Sequence, residues 1–566
     1  MRKPGRASDR RSLIVPEVVI ALCLILLVGI PLVKLALVSG EQGWASIVRV
    51  LRAPGLPAAA GHSLGLAIAV PLISVPLGSV MALALRGNRV PGAKALRVVV
   101  VLPLVVPQFV LGYSWLQAFG VAGFTDSLLE FHLSGLTGPV GVLVVLVVDA
   151  VPLSFLLTTA GSATRAQPEL ERAARISGAT PAAVLRTVTL PLLKPVLVAQ
   201  FLLTFVSTLE AFAVPQVLGA SAGFSTLTTR IYADLTLASN PDAFLDSVTL
   251  ALGLVVLVAV ILIPADLALA PGLGTIRTPD NAGSQPDPGR RRRVDVVIGL
   301  VIAVYGLLAV GLPTIALCAA AITRAIGLPP TPGNWTLGNF SDALTRPVIL
   351  ALRNSVLLAI SAATTLTVLG IVTTVVQRRR VGRALGSLTT LAFAIPGSTI
   401  AVGLLIAYGR ALSSGLVLIF LAYLGKFWAL AHRTTSAAAD RIPPTEWQAA
   451  RTSGAGWPVA AATVWLPAMG SALLGSWLLV FVAALHEVTM SSLLYSFDNQ
   501  TLAVAVLNSE ELGEVGRTAA LSVMLTVLIL LAALLAVLVI RYSARPRSQV
   551  LPPRSLTRVR SLTHVD

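Results

Sequence analysis

The chain has 566 residues, of which 55% are hydrophobic and 12% charged, about half the charge of a typical soluble domain. With a mean hydropathy of +0.86, that composition excludes a large soluble protein, whose core could not hide a dozen long runs with so little charge. The net charge of +17 would suggest nucleic acid in a soluble protein; in a membrane protein it marks the loops that stay inside, and no nucleic-acid partner is expected.

A lipid bilayer needs about 20 apolar residues per crossing helix. In chain order such runs fall at 13–38, 63–85, 98–119, 139–160, 196–218 and 244–269, then at 295–322, 354–376, 388–408, 414–432, 471–493 and 517–540. The first follows a basic stretch but lacks a small-residue cleavage site, so it reads as a retained helix. Backbone groups cannot stay unpaired in lipid, so these runs must be helices. Cys23 and Cys318 both lie inside them and have neither disulfide-framework nor metal spacing.

Most of the Lys and Arg cluster in 1–12, 86–97, 161–196, 270–294, 377–387, 433–470 and 541–566. These are alternate connections, which places them and both termini inside a cytoplasmic membrane. The expected organisation is a cytoplasmic tail (1–12), a first six-span domain (13–269), a linker (270–294), a second domain (295–541) and a basic tail (542–566). The linker is rich in Gly, Pro, Asp and Arg.

The two domains are repeats. Residues 168–191, PELERAARISGATPAAVLRTVTLP, return at 444–467 as PTEWQAARTSGAGWPVAAATVWLP, shifted by 276 positions without a gap and identical at 11 of 24. Looser matches pair Gly29-Ile30-Pro31 with Gly311-Leu312-Pro313, residues 62–68 with 354–360, Pro107 with Pro396, and Phe205-Val206 with Phe481-Val482. Six spans per half is even, so the repeat is parallel.

Each copy of the matched stretch is a polar island on the inner side, after the fourth span of its half. Pro168 suits a first helical turn, and Glu169 and Glu171 sit where the helix dipole favours anions, with Arg172 and Arg175 toward the other end. Gly178 fits a left-handed C-cap. Pro444, Glu446, Arg451 and Gly454 repeat the recipe. A second short helix over 181–187 is expected before Leu190-Pro191. A lone copy could be a plain surface connector; two ungapped copies at equivalent turns point to docking helices.

At these residues the chain resembles the permease subunits of binding-protein-dependent ABC importers, whose EAA loop reads E-A-A, three residues, G, nine residues, I-x-L-P. The pattern falls on Arg172-Ala173-Ala174, Gly178 and Val188 to Pro191, then on Gln448-Ala449-Ala450, Gly454 and Val464 to Pro467. The leading Glu is replaced by Arg172 and Gln448, with Glu171 and Glu446 nearby, so an ion pair from that first position does not carry over. The resemblance implies an all-α fold of about twelve spans in two parallel six-helix repeats, the type I importer fold. It also implies two copies of a separate ATPase carrying ATP and Mg, no cofactor on this chain, and an extracytoplasmic solute-binding protein. No phosphate-binding G-x-x-x-x-G-K-[ST] loop occurs here.

The fused arrangement, with residues 205–219 and 481–494, is similar to iron(III) permeases and their thiamine-transporting relatives. Iron(III) is the expected cargo, with thiamine, polyamine or phosphonate as alternatives. A proton-coupled transporter of the major-facilitator kind is the rival class, but residues 86–97 lack the acidic residue of its signature loop.

Charges inside spans are costly and usually face a cavity or a partner. Asp149, Glu210, Lys426, His486 and Glu487 are therefore the candidate pathway residues, and Glu210 aligns with His486 in the repeat. Carboxylates suit Fe(III). A pair that merely ties helices together is the competing reading. His62, His132, His432 and His564 read as ordinary polar residues.

Overall fold

The computed structural model describes residues 14–41, 43–86, 90–165, 168–238, 241–273, 293–325, 327–377, 380–412, 414–496 and 499–543. The expected N-terminal tail, most of the linker and nearly all of the basic C-terminal tail lie outside the described residues.

The main helices of the first half are α1 (Ile14–Glu41), α2 (Leu56–Ala84), α3 (Ala93–Val105), α4 (Gln108–Phe119), α5 (Pro139–Arg165), α6 (Pro168–Ile176), α7 (Pro181–Leu209), α8 (Ala213–Gly219), α9 (Leu227–Thr236) and α10 (Pro241–Leu273). The second half repeats them in order. They are α11 (Arg293–Ile322), α12 (Arg346–Val376), α13 (Arg380–Ala392), α14 (Gly397–Tyr408), α15 (Gly415–Ala439), α16 (Pro444–Thr452), α17 (457–486), α18 (Thr489–Leu494), α19 (Leu502–Glu511) and α20 (Val515–Ser543). Ten described helices are long and apolar enough to cross a membrane, and two bent pairs, α3–α4 and α13–α14, bring the count to 12.

Two of the expected straight spans are therefore broken. The apolar runs 98–119 and 388–408 bend by 106° and 105° at Pro107 and Pro396. Proline has no N–H and its ring collides with the carbonyl four residues back, so the helix stops and restarts. The matched prolines do give the two halves one shared shape. A second correction concerns residues 181–187, which are not a separate helix but the first turns of the 29-residue span α7. That span ends at Leu209, leaving Glu210 at its terminus instead of in its middle.

A subtler proline effect recurs four times. Five-residue π-turns occupy Ile25–Gly29, Leu185–Thr189, Leu307–Gly311 and Ala461–Trp465, and each is followed two residues later by Pro31, Pro191, Pro313 or Pro467. Widening the turn moves the proline ring off the carbonyl it would strike. The N–H groups of Ile30, Leu190 and Leu312 then reach back five residues, to Ile25, Leu185 and Leu307. Carbonyls beside the missing proline N–H are left over. The Trp115 indole donates to Ala309 O at 3.0 Å, and the Tyr408 hydroxyl donates to Leu26 O at 2.8 Å.

Both of those bonds cross between the halves, because the first span of each half packs on the bent pair of the other. The α1 helix lies on α14 and α11 lies on α4. Glycine makes the approach possible: a Cβ at Gly403 would sit 3.1 Å from Pro31 Cβ. Within each half, the second and fourth spans cross at a matched glycine. A Cβ at Gly78 would lie 2.7 Å from Ser154 Cβ, and one at Gly370 2.9 Å from Ala431 C. Hydroxyl pairs seal the same crossings, Ser79 with Thr158 at 2.8 Å and Thr374 with Thr435 at 2.9 Å. Small residues and hydroxyls are what membrane helices use where burial of apolar area gives no advantage over lipid.

Matched serines also fix α9 and α19. Ser63 Oγ accepts from Leu227 N at 2.8 Å, and Ser355 Oγ accepts from Leu502 N at 2.7 Å. Thr226 and Thr501 cap the same two helix starts.

If close glycine crossings hold each half together, Gly370→Leu should lower stability by about 1–3 kcal/mol through overpacking. The thermal midpoint followed by tryptophan fluorescence in detergent should fall, whereas Gly253→Leu, where no atom lies within 4 Å of an added Cβ, should leave it unchanged.

Candidate coupling helices and transport pathway

The α6 and α16 helices emerge where the fourth span of each half ends, and the parallel repeat puts both on one face. Their stops are built as the sequence suggests. Gly178 and Gly454 both have φ of +86°, a left-handed conformation that only glycine adopts without strain. Ala179 N donates to Ala174 O and Ala455 N to Ala450 O, at 3.0 and 3.1 Å. These are the six-to-one bonds of a Schellman stop. Arg172, Ala173 and Gly178, with Gln448, Ala449 and Gly454, are exposed, and Ala174 and Ala450 are half-buried. Pro191 and Pro467 are exposed just past the π-turns.

What braces each helix differs. Glu171 Oε1 accepts from Thr189 Oγ1 at 3.1 Å and pairs with Arg86 Nη1 at 3.4 Å. The same two repeat positions in the second half are Trp447 and Trp465, whose ring centroids lie 5.5 Å apart at 49°, over Val375, Ala439 and Met469. Contact between the short helix and the π-turn is kept while its chemistry changes from polar to aromatic. The expected dipole role of Glu171 is thus supplemented by a tie to Arg86, a residue that sequence reasoning missed. The outer surfaces differ too: exposed Leu170 and Ile176 are replaced by exposed Glu446 and Thr452.

The five candidate intramembrane residues converge on the two helix breaks. Lys426, 8% exposed, donates to Glu210 Oε2 at 2.6 Å, Ile395 O at 2.8 Å and Phe393 O at 3.0 Å. The last two are carbonyls freed where α13 stops before Pro396. His486 Nε2 donates to Val105 O at 3.2 Å, the matching break before Pro107. Just after that proline, Gln108 Nε2 donates to Asp149 Oδ2 at 2.6 Å. Glu487 accepts from the Met490 and Ser491 amides and so caps α18.

Asp149, His486 and Glu487 line one cavity of about 420 Å³, together with Gln108, Thr204 and Phe427. Glu210 and Lys426 sit beside it, where Lys426 Nζ lies 5.1 Å from the centroid of the Phe393 ring, another lining residue. Glu210 of the first half and Lys426 of the second bridge the halves, and so do His486 and Val105. Gln108 and Thr204 were not legible as site residues, since neither stands out in an apolar run. On the non-spanning α19, burial and neighbouring Glu511 push Glu510 up to about 7.

Two six-span repeats in parallel, exchanged through their first spans and each carrying an exposed Gly-stopped helix, define an ABC importer permease. Residues 74–270 match the family described as binding-protein-dependent transport system inner membrane component. The molybdenum transport system permease protein ModB of Mycobacterium tuberculosis is 32% identical over 240 residues, 42% of this chain and 88% of its own length. The Fe(3+)-transport system permease protein FbpB 2 of Haemophilus influenzae is 24% identical over 496 residues, 85% of this chain and 91% of its own. A probable ABC transporter permease, y4fN of Sinorhizobium fredii, is 27% identical over 491 residues, 82% of this chain and 84% of its own. The chain belongs to the binding-protein-dependent transport system inner membrane component family. It is a fused two-domain permease of the inner membrane with no enzymatic role of its own, and its family works with an ATPase and a solute-binding protein.

The two braces should respond unequally to truncation. A partly exposed ion pair such as Arg86–Glu171 contributes about 0–1 kcal/mol, whereas an aromatic pair, here with Trp465 buried and Trp447 half-buried, adds ~0.5–1.5 kcal/mol beyond its area. Trp447→Ala should therefore reduce retention of the partner ATPase on the purified permease more than Glu171→Ala, measured as bound ATPase per permease after detergent purification.

Proposed function

We propose that this chain alone forms the membrane pathway of an ATP-driven importer, with α6 and α16 as the docks for two ATPase subunits. The observation that carries this is the matched pair of exposed helices with left-handed glycine stops at Gly178 and Gly454. Motion of the ATPases would enter through α6 and α16 and pass rigidly into α7 and α17 through the braced π-turns. The basic segments favour an orientation with both termini and both docks on the cytoplasmic side. The two halves would then be 13–269 and 295–541, joined by a cytoplasmic linker at 270–294. ATP and Mg act on the partner, and this chain binds no cofactor.

The proposed cargo is iron(III), handed over by an extracytoplasmic binding protein. The ferric relative supports it by matching across both halves. A second reading, molybdate, is supported by the higher identity of the molybdenum relative, which matches over 240 residues. The cavity's carboxylates favour the cation.

The docking role is tested by Gly178→Trp and Gly454→Trp. A left-handed position costs an L side chain about 1–2 kcal/mol, and an indole at the stop blocks close approach. Each variant should lose ATPase co-purification and abolish ATP-dependent uptake of radioactive iron(III) into proteoliposomes. Unchanged assembly and uptake in both would overturn the coupling role.

A further inference from the structure

The cavity between the helix breaks presents carboxylate oxygens in surplus over charged donors. One N–H of Gln108 Nε2 goes to Asp149, His486 Nε2 goes to Val105 O, and the Met490 and Ser491 amides go to Glu487. The ammonium of Lys426 has three acceptors for its three protons. Among the described residues around the cavity, two fully buried side-chain oxygens are left without a partner. One is Thr204 Oγ1, on a cavity-lining residue that is 2% exposed; the other is the buried Oε1 of Glu210. A hydroxyl can turn to donate or accept, but a carboxylate can only accept. Three carboxylates, Asp149, Glu210 and Glu487, stand against one ammonium. An incoming oxyanion would meet like charge; a cation would meet oxygens.

We propose that this cavity is a transit site for a hard cation, bound through Asp149, Glu210 and the Thr204 hydroxyl, with Lys426 standing in for the cargo's charge at Glu210. Oxygen donors are what hard cations select. Among the described residues no three His, Cys, Asp or Glu side chains converge closely enough to grip a metal ion, which suits passage. A conducting site must bind well enough to admit the ion and weakly enough to release it. The volume of about 420 Å³ is many times the ~30 Å³ share of one water, so the cation crosses with much of its hydration or carrier shell. When it arrives, Lys426 keeps the carbonyls of Phe393 and Ile395, so its charge is never left unpartnered. Glu210 and Lys426 come from different halves, so occupancy of the cavity loosens a tie between them.

This inference rests on the importer reading above and assigns its cationic cargo a site and named ligands. The test uses the full chain in lipid nanodiscs without ATPase, titrated with terbium(III) as a luminescent hard trivalent probe and separately with molybdate. Glu210→Gln should weaken terbium binding at least tenfold, Thr204→Val should weaken it several-fold, and Lys426→Met should strengthen it by freeing Glu210. Lys426→Arg, which keeps the charge, should bind like the native chain. Should Lys426→Met fail to assemble by size exclusion, the Glu210 and Thr204 variants decide the question. Terbium binding indifferent to both of these overturns the site. So does molybdate binding that the native chain shows and Lys426→Met or Lys426→Arg weakens, which would make Lys426 an oxyanion receptor. ATPase docking plays no part in this assay. Loss of the cation site with docking intact would reject this inference alone; loss of docking with the cation site intact would reject only the coupling reading.

Discussion

A backbone carbonyl without a donor cannot turn to water inside a bilayer, so every interruption of a spanning helix must be answered by a side chain or by another helix. Prolines make such interruptions here. Pro31, Pro191, Pro313 and Pro467 each follow a π-turn, and Pro107 and Pro396 break their helices outright. Carbonyls released at these places are met by Trp115, Tyr408, His486 and Lys426. Three of those four residues reach across from the other half. Satisfaction of backbone oxygens therefore adds specific ties to an apolar cluster that runs through both halves.

The same need explains why polar residues gather around the cavity. Discontinuous membrane helices present their ends and freed carbonyls to whatever passes between them. Asp149, Lys426 and His486 are far apart in sequence, yet each touches a residue within three positions of Pro107 or Pro396. Glu487 joins them by capping α18 beside the cavity, and Glu210 joins them through Lys426. Repeat symmetry is kept in shape and relaxed in chemistry: Glu210 and His486 occupy matched positions, as do Glu171 and Trp447. One chain with two halves permits this, since each half evolves against a fixed neighbour.

Much of this was legible in the sequence. Apolar runs set the number of spans, and the ungapped repeat of 168–191 at 444–467 set the parallel halves. Gly178 and Gly454 announced their own left-handed stops, because no other residue is at ease there. The five charged or His residues were recognisable because charge in an apolar run is expensive. What the sequence could not reveal were pairings across long separations. Hydropathy averages over a window and so read 98–119 and 388–408 as straight spans, although Pro107 and Pro396 lie inside them. Gln108 and Thr204 carry no signal until a fold sets them on a cavity wall. The Trp447–Trp465 contact becomes recognisable only when laid over the Glu171–Thr189 bond of the other half.

Everything proposed for transport depends on the space between the two helix breaks being a polar passage and not a sealed joint. That is tested most directly by thiol accessibility in a chain whose Cys23 and Cys318 have been replaced by alanine. Single cysteines at Thr204 and Thr489, which line the cavity, and at Val256 and Leu531, on the lipid-facing surface, would be challenged with a charged, membrane-impermeant thiol reagent in proteoliposomes with the partner ATPase. A polar passage predicts rapid labelling at 204 and 489, changed by ATP, and none at 256 or 531. Equal protection of all four positions, with and without ATP, would contradict it.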